Sequence, residues 1–141
     1  MGAIQEKTVL DMIETFANGW PESLDKTMSY IAEDASYQMA VPLTEPIQGR
    51  DAIRAEIQGM IGKYESNNSE VLAIASTDRH VFTERMDSAK TDKGWIRIPL
   101  AAVFELNAQN KIVAWREYLD ISCVIKQQGI ENVFGIGEEN T

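Results

Sequence analysis

The sequence has very few of the residues that most often carry enzyme chemistry. Cys123 is the only cysteine and His80 the only histidine among 141 residues. One cysteine cannot form an internal disulfide, so a reducing, cytoplasmic setting is the simplest expectation. A zinc site built from one Cys, one His and carboxylates would be unusual, and no nucleophile elbow occurs that could use His80. Carboxylates, arginine and tyrosine are therefore the expected reactive groups, with no metal and no other cofactor.

Positive charge is also scarce. The chain has 13 Lys and Arg against 22 Asp and Glu, which gives a net charge of −9. Without a Lys/Arg cluster this balance is unfavourable for binding phosphate backbones, so we expect no nucleic acid partner. No apolar run reaches the roughly 18–20 residues of a membrane span, and the start lacks the pattern of a secretory signal. We therefore expect no membrane partner either.

The length suits one compact core. Hydrophobic residues make up 44% of the chain and charged residues 25%, values close to the globular average. Repeats, low-complexity segments and an internal linker are all missing. We predict a single domain over residues 1–141, with a frayed tail from about 135 to 141.

The apolar spacing predicts helices early in the chain and strands later. Helices are expected at about 3–18, from Pro21 to about 32–34, at 49–64 and at about 121–134; strands are expected at 35–41, 69–76, 80–88, 95–106 and 111–119. Turn-like "TDKG" and "NAQN" join the last three strands into an antiparallel meander. The order predicts an α+β fold in which helices cover one face of a curved, mostly antiparallel sheet. Such a sheet can form an open cone with a pocket under the helices.

Charged residues interrupt two of the predicted strands. Because side chains alternate between the faces of a strand, Arg85 and Asp87 share one face of strand 80–88, and Tyr37 and Met39 share one face of the first strand. In the last strand two sets face opposite ways: Arg116, Tyr118 and Asp120 on one side, and Trp115, Glu117 and Leu119 on the other. We expect Asp120 to point inward, and Glu84 and Glu117 to face solvent.

An inward-facing set of Arg85, Asp87, Asp120 and Tyr37 would have a clear chemical use. A guanidinium stays charged and can hold two carboxylates in fixed geometry. Two carboxylates in one dry pocket repel each other, so one can remain protonated as a general acid while the other acts as a base. This division suits addition of water to a neutral electrophile.

A structural explanation of the same residues competes with the catalytic one. An Arg–Asp pair on a strand is often a solvated salt bridge, and alternation alone favours that interpretation. Tyr37 is equally typical of a core tyrosine with a satisfied hydroxyl group. Met28 and Met60 are expected to fill the core or the pocket.

Three stretches together resemble the limonene-1,2-epoxide hydrolase family. They are "AEDASYQMAVPLTEPIQGRDAI", "VFTERMD" and "VFELNAQNKIVAWREYLD", and the resemblance extends from about residue 5 to 125. The "GRDAI" element recurs in related families, whereas "ERMD" and "WREYLD" at this separation are more specific. The resemblance implies the cone-shaped nuclear transport factor 2-like (cystatin-like) fold, which SnoaL-type cyclases and ketosteroid isomerase share.

The resemblance also implies an activity and a role for each residue. The expected reaction is one-step hydrolysis of a small apolar epoxide to a vicinal diol, with water as co-substrate and no cofactor. Asp120 would be the base, Asp87 the acid, Arg85 the bridge between them and Tyr37 a holder of the water. The expected substrate-binding residues are Met28, Met39, Met60, Ile98 and Leu100, together with Ala102.

One position departs from the family pattern. The family has an asparagine two residues after the tyrosine, where this chain has Met39. A thioether is a weak acceptor and cannot donate a hydrogen bond, so the water would lose a partner unless Gln38 replaces it. Losing one such hydrogen bond costs roughly 1–3 kcal/mol, or about tenfold or more in rate.

Two other functions and one assembly state stay open. A SnoaL-like or ketosteroid isomerase-like isomerase or cyclase would not need the missing asparagine, and a non-catalytic ligand-binding protein would use the aspartates only as ion-pair partners. The resemblance further implies a homodimer formed through the outer face of the sheet. Trp95, Arg97 and Phe104 are the expected contributors.

Overall fold

The computed structural model of the chain describes residues 2–128. Within them lie four helices, α1 Ala3–Asn18, α2 Leu24–Met28, α3 Arg50–Ile61 and α4 Ile121–Gln128, and six strands, β1 Ile31–Gln38, β2 Ile47–Gln48, β3 Ser66–Ser76, β4 His80–Thr91, β5 Gly94–Leu106 and β6 Ile112–Leu119. The end of the predicted last helix and the predicted frayed tail lie outside the described residues. None of the helices within residues 2–128 is both long and apolar enough to cross a membrane.

The strands form one sheet in the order β2-β1-β6-β5-β4-β3. Strands β4, β5 and β6 are an antiparallel meander, as the turn sequences predict, and β1 runs parallel to β6. In the described residues β2 and β3 are edges, so the sheet is open. The predicted α+β class, with helices over a mostly antiparallel sheet, is confirmed.

Helix α1 packs one apolar stripe against the sheet. Val9, Met12 and Ile13 are buried, at the spacing expected of one helical face. Burying each such side chain contributes about 1.5–3 kcal/mol to stability. Helix α3 does the same with Ile53 and Ile57, and the two helices close one side of the sheet.

The first strand begins earlier than predicted. The apolar spacing predicts that the second helix continues to about 32–34, but β1 starts at Ile31. Ile31 is buried and pairs with Ile112 of β6, and the Ile112 N–H donates to the Tyr30 carbonyl. Pairing with the parallel strand β6 thus determines the conformation here, against the local helical pattern. That pattern could not predict the pairing, because β6 lies far away in the sequence.

The centre of the core is aromatic. Trp115 stacks on Phe104 at a ring separation of 5.7 Å and meets the edge of Phe16 at 6.2 Å. Phe104 has no exposed surface, so its predicted place on the outer face of the sheet is wrong. Alternation explains the error: Phe104 lies on the inner face of β5, whereas Trp95 and Arg97 lie on the outer face and are exposed.

Candidate active site

The site is built on the inner face of β4. Val81, Thr83 and Arg85 alternate inward and are all buried, while Glu84 faces solvent. Arg85 is only 3% exposed, which is rare for an arginine and requires charged partners. The alternative of a solvated surface salt bridge is therefore wrong for this pair.

Arg85 joins two carboxylates. Its Nε and Nη2 donate to Asp87 Oδ1 and Oδ2 at 3.2 and 3.1 Å. Nη2 also donates to Glu117 Oε2 at 2.7 Å, and Nη1 donates to Thr83 Oγ1 at 3.1 Å. Three side chains, Asp87, Thr83 and Glu117, thereby fix the guanidinium by hydrogen bonds. The Arg85 charge in turn holds Asp87 of β4 and Glu117 of β6 close together.

Glu117 has two further donors. The Trp115 indole Nε1 donates to Glu117 Oε2 at 3.3 Å, and the Tyr37 hydroxyl donates to Glu117 Oε1 at 3.4 Å. Tyr37 reaches this point because it lies opposite Trp115 in the parallel β1–β6 pair, and the two rings stack at 4.1 Å. Oε2 is therefore held by Arg85 and Trp115, while Oε1 carries only the longer contact from Tyr37.

Burial dominates the electrostatics of the cluster. It raises the pKa of Glu117, and the Asp87 charge adds to this, while Arg85 and the Trp115 hydrogen bond oppose it. Burial also raises the pKa of the Tyr37 hydroxyl, with a further contribution from Glu117. For Arg85, burial lowers the pKa but Glu117 and Asp87 outweigh it, so the guanidinium stays charged.

Asp120 lies outside this cluster, so its predicted inward position is wrong. It is exposed and does not line the cavity. Its Oδ1 accepts hydrogen bonds from the Ser122 backbone N–H at 3.0 Å and from the Ser122 hydroxyl, which lower its pKa. Asp120 directly precedes α4 and caps it, as aspartates commonly do.

Glu117 was expected in solvent and is instead in the site. The side chains of β6 that face inward are Trp115, Glu117 and Leu119. The sequence holds a signal for this: a glutamate between a tryptophan and a leucine on the same face lies on the apolar, inward side. Arg116, on the opposite face, pairs with Glu105 of β5.

A cavity of about 890 Å³ opens above the cluster, between the sheet and the helices. Met39, Met60, Ile98 and Leu100 line it, as do Arg85, Asp87, Tyr37 and Glu117. Met28 is buried in the core and is not part of this wall, which corrects its predicted contact with substrate. Ala102 is likewise buried, between Thr83 and Glu117 in the strand register.

Met39 lies in the cavity wall, and the adjacent Gln38 does not replace the missing asparagine. Gln38 points to the other face of β1, where its Nε2 donates to the Thr44 carbonyl at 2.7 Å. Gln38 is therefore occupied elsewhere. Within residues 2–128 no group of three His, Cys, Asp or Glu side chains is placed to hold a metal ion.

Comparison with known proteins identifies the family of the chain. The sequence model of the limonene-1,2-epoxide hydrolase catalytic domain matches residues 7–129, which include Tyr37, Arg85, Asp87 and Glu117. The chain belongs to the limonene-1,2-epoxide hydrolase family. The resemblance to this family, which the sequence suggested, is thus confirmed.

Solved structures show the fold that this family member shares. A limonene-1,2-epoxide hydrolase-like epoxide hydrolase of M. tuberculosis is 21% identical, with a TM-score of 0.75 over 87% of each chain. A protein described as a SnoaL-like polyketide cyclase of Shewanella denitrificans is 12% identical, with a TM-score of 0.79 over 90% of this chain and 98% of its own. SalBIII, described as an epoxide hydrolase/cyclase-like enzyme in pyran ring formation, is 15% identical, with a TM-score of 0.73 over 84% of this chain and 92% of its own.

Proposed function

We propose that the protein is a cofactor-independent epoxide hydrolase in which Glu117 is the general base and Asp87 the general acid. The observation that carries the proposal is the buried Arg85, which binds both carboxylates at one end of an apolar cavity. Membership in the limonene-1,2-epoxide hydrolase family supports the reaction class.

The position of Tyr37 supports Glu117 as the base. The family resemblance assigns the tyrosine to the attacking water, and the Tyr37 hydroxyl contacts Glu117 Oε1. A water held between this hydroxyl and Oε1 would face the one carboxylate oxygen that Arg85 and Trp115 do not hold. The raised pKa of Glu117 strengthens it as a proton acceptor.

Asp87 then supplies the proton that epoxide opening requires. Arg85 holds both Asp87 oxygens in a fork, which fixes the carboxyl group towards the cavity. Glu117 accepts a proton from water as the water oxygen bonds to an epoxide carbon. The carbon–oxygen bond of the ring breaks, and Asp87 protonates the released oxygen. The product is a vicinal diol, and the active form returns when a proton moves from Glu117 back to Asp87 through solvent.

The remaining cavity wall suits a hydrocarbon body. Ile98 and Leu100 project from β5, and Met39 and Met60 close the opposite side. Apolar side chains exclude water around the charged cluster, which strengthens the electrostatic interactions that act on the reacting atoms.

The test is turnover in oxygen-18 water. Limonene oxide, cyclohexene oxide and a wider epoxide panel should give diols that carry one labelled oxygen. Glu117→Gln and Asp87→Asn should each lower kcat/KM by about 10²-fold or more, in the range of general acid–base contributions.

Asp120→Asn is the matched control for that test. It changes a carboxylate three residues from Glu117 but outside the cluster, and asparagine also caps helices, so turnover should be retained. Absence of diol with every epoxide, or full activity in Glu117→Gln, would refute the proposal.

Met39 favours a second candidate, ring closure by the substrate's own hydroxyl group. Met39 lies in the cavity wall and Gln38 is turned away, so the attacking water has one hydrogen-bond partner fewer than in a site with asparagine at position 39. A hydroxyl on the substrate needs no separate holder, because its own chain positions it. SalBIII, the similar structure linked to pyran ring formation, makes this chemistry a reasonable comparison.

Product analysis of a hydroxy-epoxide separates the two candidates. Unlabelled cyclic ether would support ring closure, and labelled diol would support hydrolysis. Met39→Asn restores the family's water holder, so we expect about tenfold faster diol formation and no gain in cyclic ether. Met39→Leu is the size-matched control and should give no gain in diol. An unchanged diol rate in Met39→Asn would show that the residue at 39 does not limit water attack.

A further inference from the structure

The edge strand β3 contributes two polar side chains to the cavity that the proposed chemistry does not use. Asn67 and Ser69 line the cavity and are half-buried, while their neighbours Asn68 and Glu70 face solvent. Further along the same face, Val71 and Ile74 pack against the core. Val71 and Ile74 do not line the cavity, so the part of β3 that does is polar.

The strand register places this pair beside the proposed acid. Ser69 lies directly opposite Asp87, and Asn67 lies opposite Ala89. Facing side chains in an antiparallel pair have Cβ atoms roughly 4.5–5.5 Å apart, and two residues along a strand span roughly 6.6 Å. Ser69 is thus next to the proposed acid, and Asn67 is two residues further along the strand from it.

Neither side chain has a hydrogen-bond partner among the described residues, since none of the side-chain hydrogen bonds within residues 2–128 involves them. Leaving a half-buried amide or hydroxyl group without a hydrogen-bond partner costs free energy. A ligand that supplies the partner therefore gains affinity. Both groups donate and accept, which suits a neutral hydroxyl or carbonyl oxygen. Neither side chain carries a charge that would offset the desolvation of an anionic group, so a neutral ligand group is favoured.

We infer that Asn67 and Ser69 form a polar subsite for a neutral oxygen, a hydroxyl or carbonyl group, about 5–7 Å from the epoxide ring of the substrate. The inference rests on the proposed epoxide chemistry and narrows its substrate class. The substrate is an oxygenated epoxide rather than a plain hydrocarbon epoxide.

Two epoxides that differ in one group test the subsite. In 5,6-epoxyhexan-1-ol a hydroxyl group replaces the terminal methyl group of 1,2-epoxyheptane, at about the required distance from the ring. The measured quantity is the kcat/KM of the hydroxy-epoxide divided by that of the alkyl epoxide. Asn67→Leu should lower this ratio by about threefold to tenfold, the effect of one neutral hydrogen bond.

Asn68→Leu is the matched control, because it makes the same change on the opposite face of the same strand. It should leave the ratio at the wild-type value, and Ser69→Ala should move the ratio in the same direction as Asn67→Leu. An equal ratio in wild type and Asn67→Leu, or an equal loss in Asn68→Leu, would overturn the subsite.

Binding of the corresponding diols separates failure of the subsite from failure of the chemistry. By calorimetry, hexane-1,2,6-triol should lose affinity relative to heptane-1,2-diol on Asn67→Leu. If the protein hydrolyses neither epoxide but the triol still loses relative affinity on Asn67→Leu, the proposed hydrolase activity is refuted and the subsite is supported. No relative change on Asn67→Leu would refute the subsite whatever the turnover.

Discussion

At the scale of single residues, surroundings decide what a carboxylate does. Glu117 and Asp120 are three positions apart, yet one is held by Arg85, Trp115 and Tyr37 while the other caps a helix. Burial raises the pKa of Glu117, and local hydrogen bonds from Ser122 lower that of Asp120. The chemical type of a side chain in the sequence is therefore a weaker guide than the face of the strand that carries it.

We expect Trp115 to act as a positioning residue for Glu117, the proposed base, and Trp115→Phe tests this. Phenylalanine keeps an aromatic ring against Tyr37 but removes the indole donor, whose hydrogen bond lowers the pKa of Glu117. The acidic limb of the kcat/KM profile, where Glu117 becomes protonated, should move to higher pH. Trp95→Phe, on the exposed outer face, should leave the profile in place; a limb that stays fixed in Trp115→Phe would count against the role.

The raised pKa of Glu117 also predicts a pH-dependent stability. A group that binds its proton more tightly in the folded state stabilises the fold at low pH, and this contribution is lost as pH rises through the folded-state pKa. Glutamine at this position cannot titrate. The free energy of unfolding of Glu117→Gln relative to wild type should therefore increase between about pH 4 and pH 8, by about 1.4 kcal/mol for each unit by which the pKa is raised. Denaturant titrations of both proteins at several pH values measure this difference in the free energy of unfolding. A difference that does not change with pH would contradict a raised pKa of Glu117.

At the scale of elements, periodicity predicted most of the fold and half of the site. Alternation placed Arg85 and Asp87 on one shared face of β4, and apolar spacing located α1 and the meander. It could not show that β1 pairs with β6 in parallel, because that pairing joins residues far apart in the chain. The face of β6 was misjudged because Asp120 matched the end of a familiar motif, whereas the apolar Trp115 and Leu119 mark the inward side.

We expect Asp120 to affect activity indirectly, because its side chain caps helix α4 and α4 forms part of the cavity wall. Ile121, Val124 and Ile125 of this helix line the cavity. Asp120→Ala removes the acceptor for the Ser122 N–H, and loss of such a cap costs about 0.5–2 kcal/mol. We expect KM to rise about twofold to tenfold with kcat within about twofold of wild type. Asp120→Asn should behave as wild type, and a large loss of kcat in Asp120→Ala would instead indicate a chemical role.

At the scale of the whole molecule, the outer face of the sheet carries exposed aromatic residues. Trp95 is 53% exposed, and Phe82 and Tyr118 are each 42% exposed. Apolar area of this kind on a sheet face is typical of an interaction surface. The family resemblance implies a homodimer through this face, and the net charge of −9 on each copy would oppose its association at low salt.

Light scattering at micromolar concentration tests the dimer. We expect twice the chain mass of 15.8 kDa, with tighter association as salt screens the negative charge. Phe82→Glu should shift the protein to monomer, whereas Leu10→Glu, a similar change on the exposed side of α1, should not. A wild-type monomer at all salt concentrations would contradict the expectation.

The proposed acid, the proposed base and the arginine between them belong to one continuous stretch of chain. Strands β4, β5 and β6 follow each other from His80 to Leu119 through short turns, and Arg85 and Glu117 are 32 positions apart. Only Tyr37 joins from a more distant segment, 80 positions from Glu117. The reactive groups and the substrate-shaping groups of β1, β3, α3 and α4 are thus largely separate in the chain. Substitutions in the latter can change which molecule is accepted while the reactive groups stay as they are, which makes this fold open to divergence in specificity.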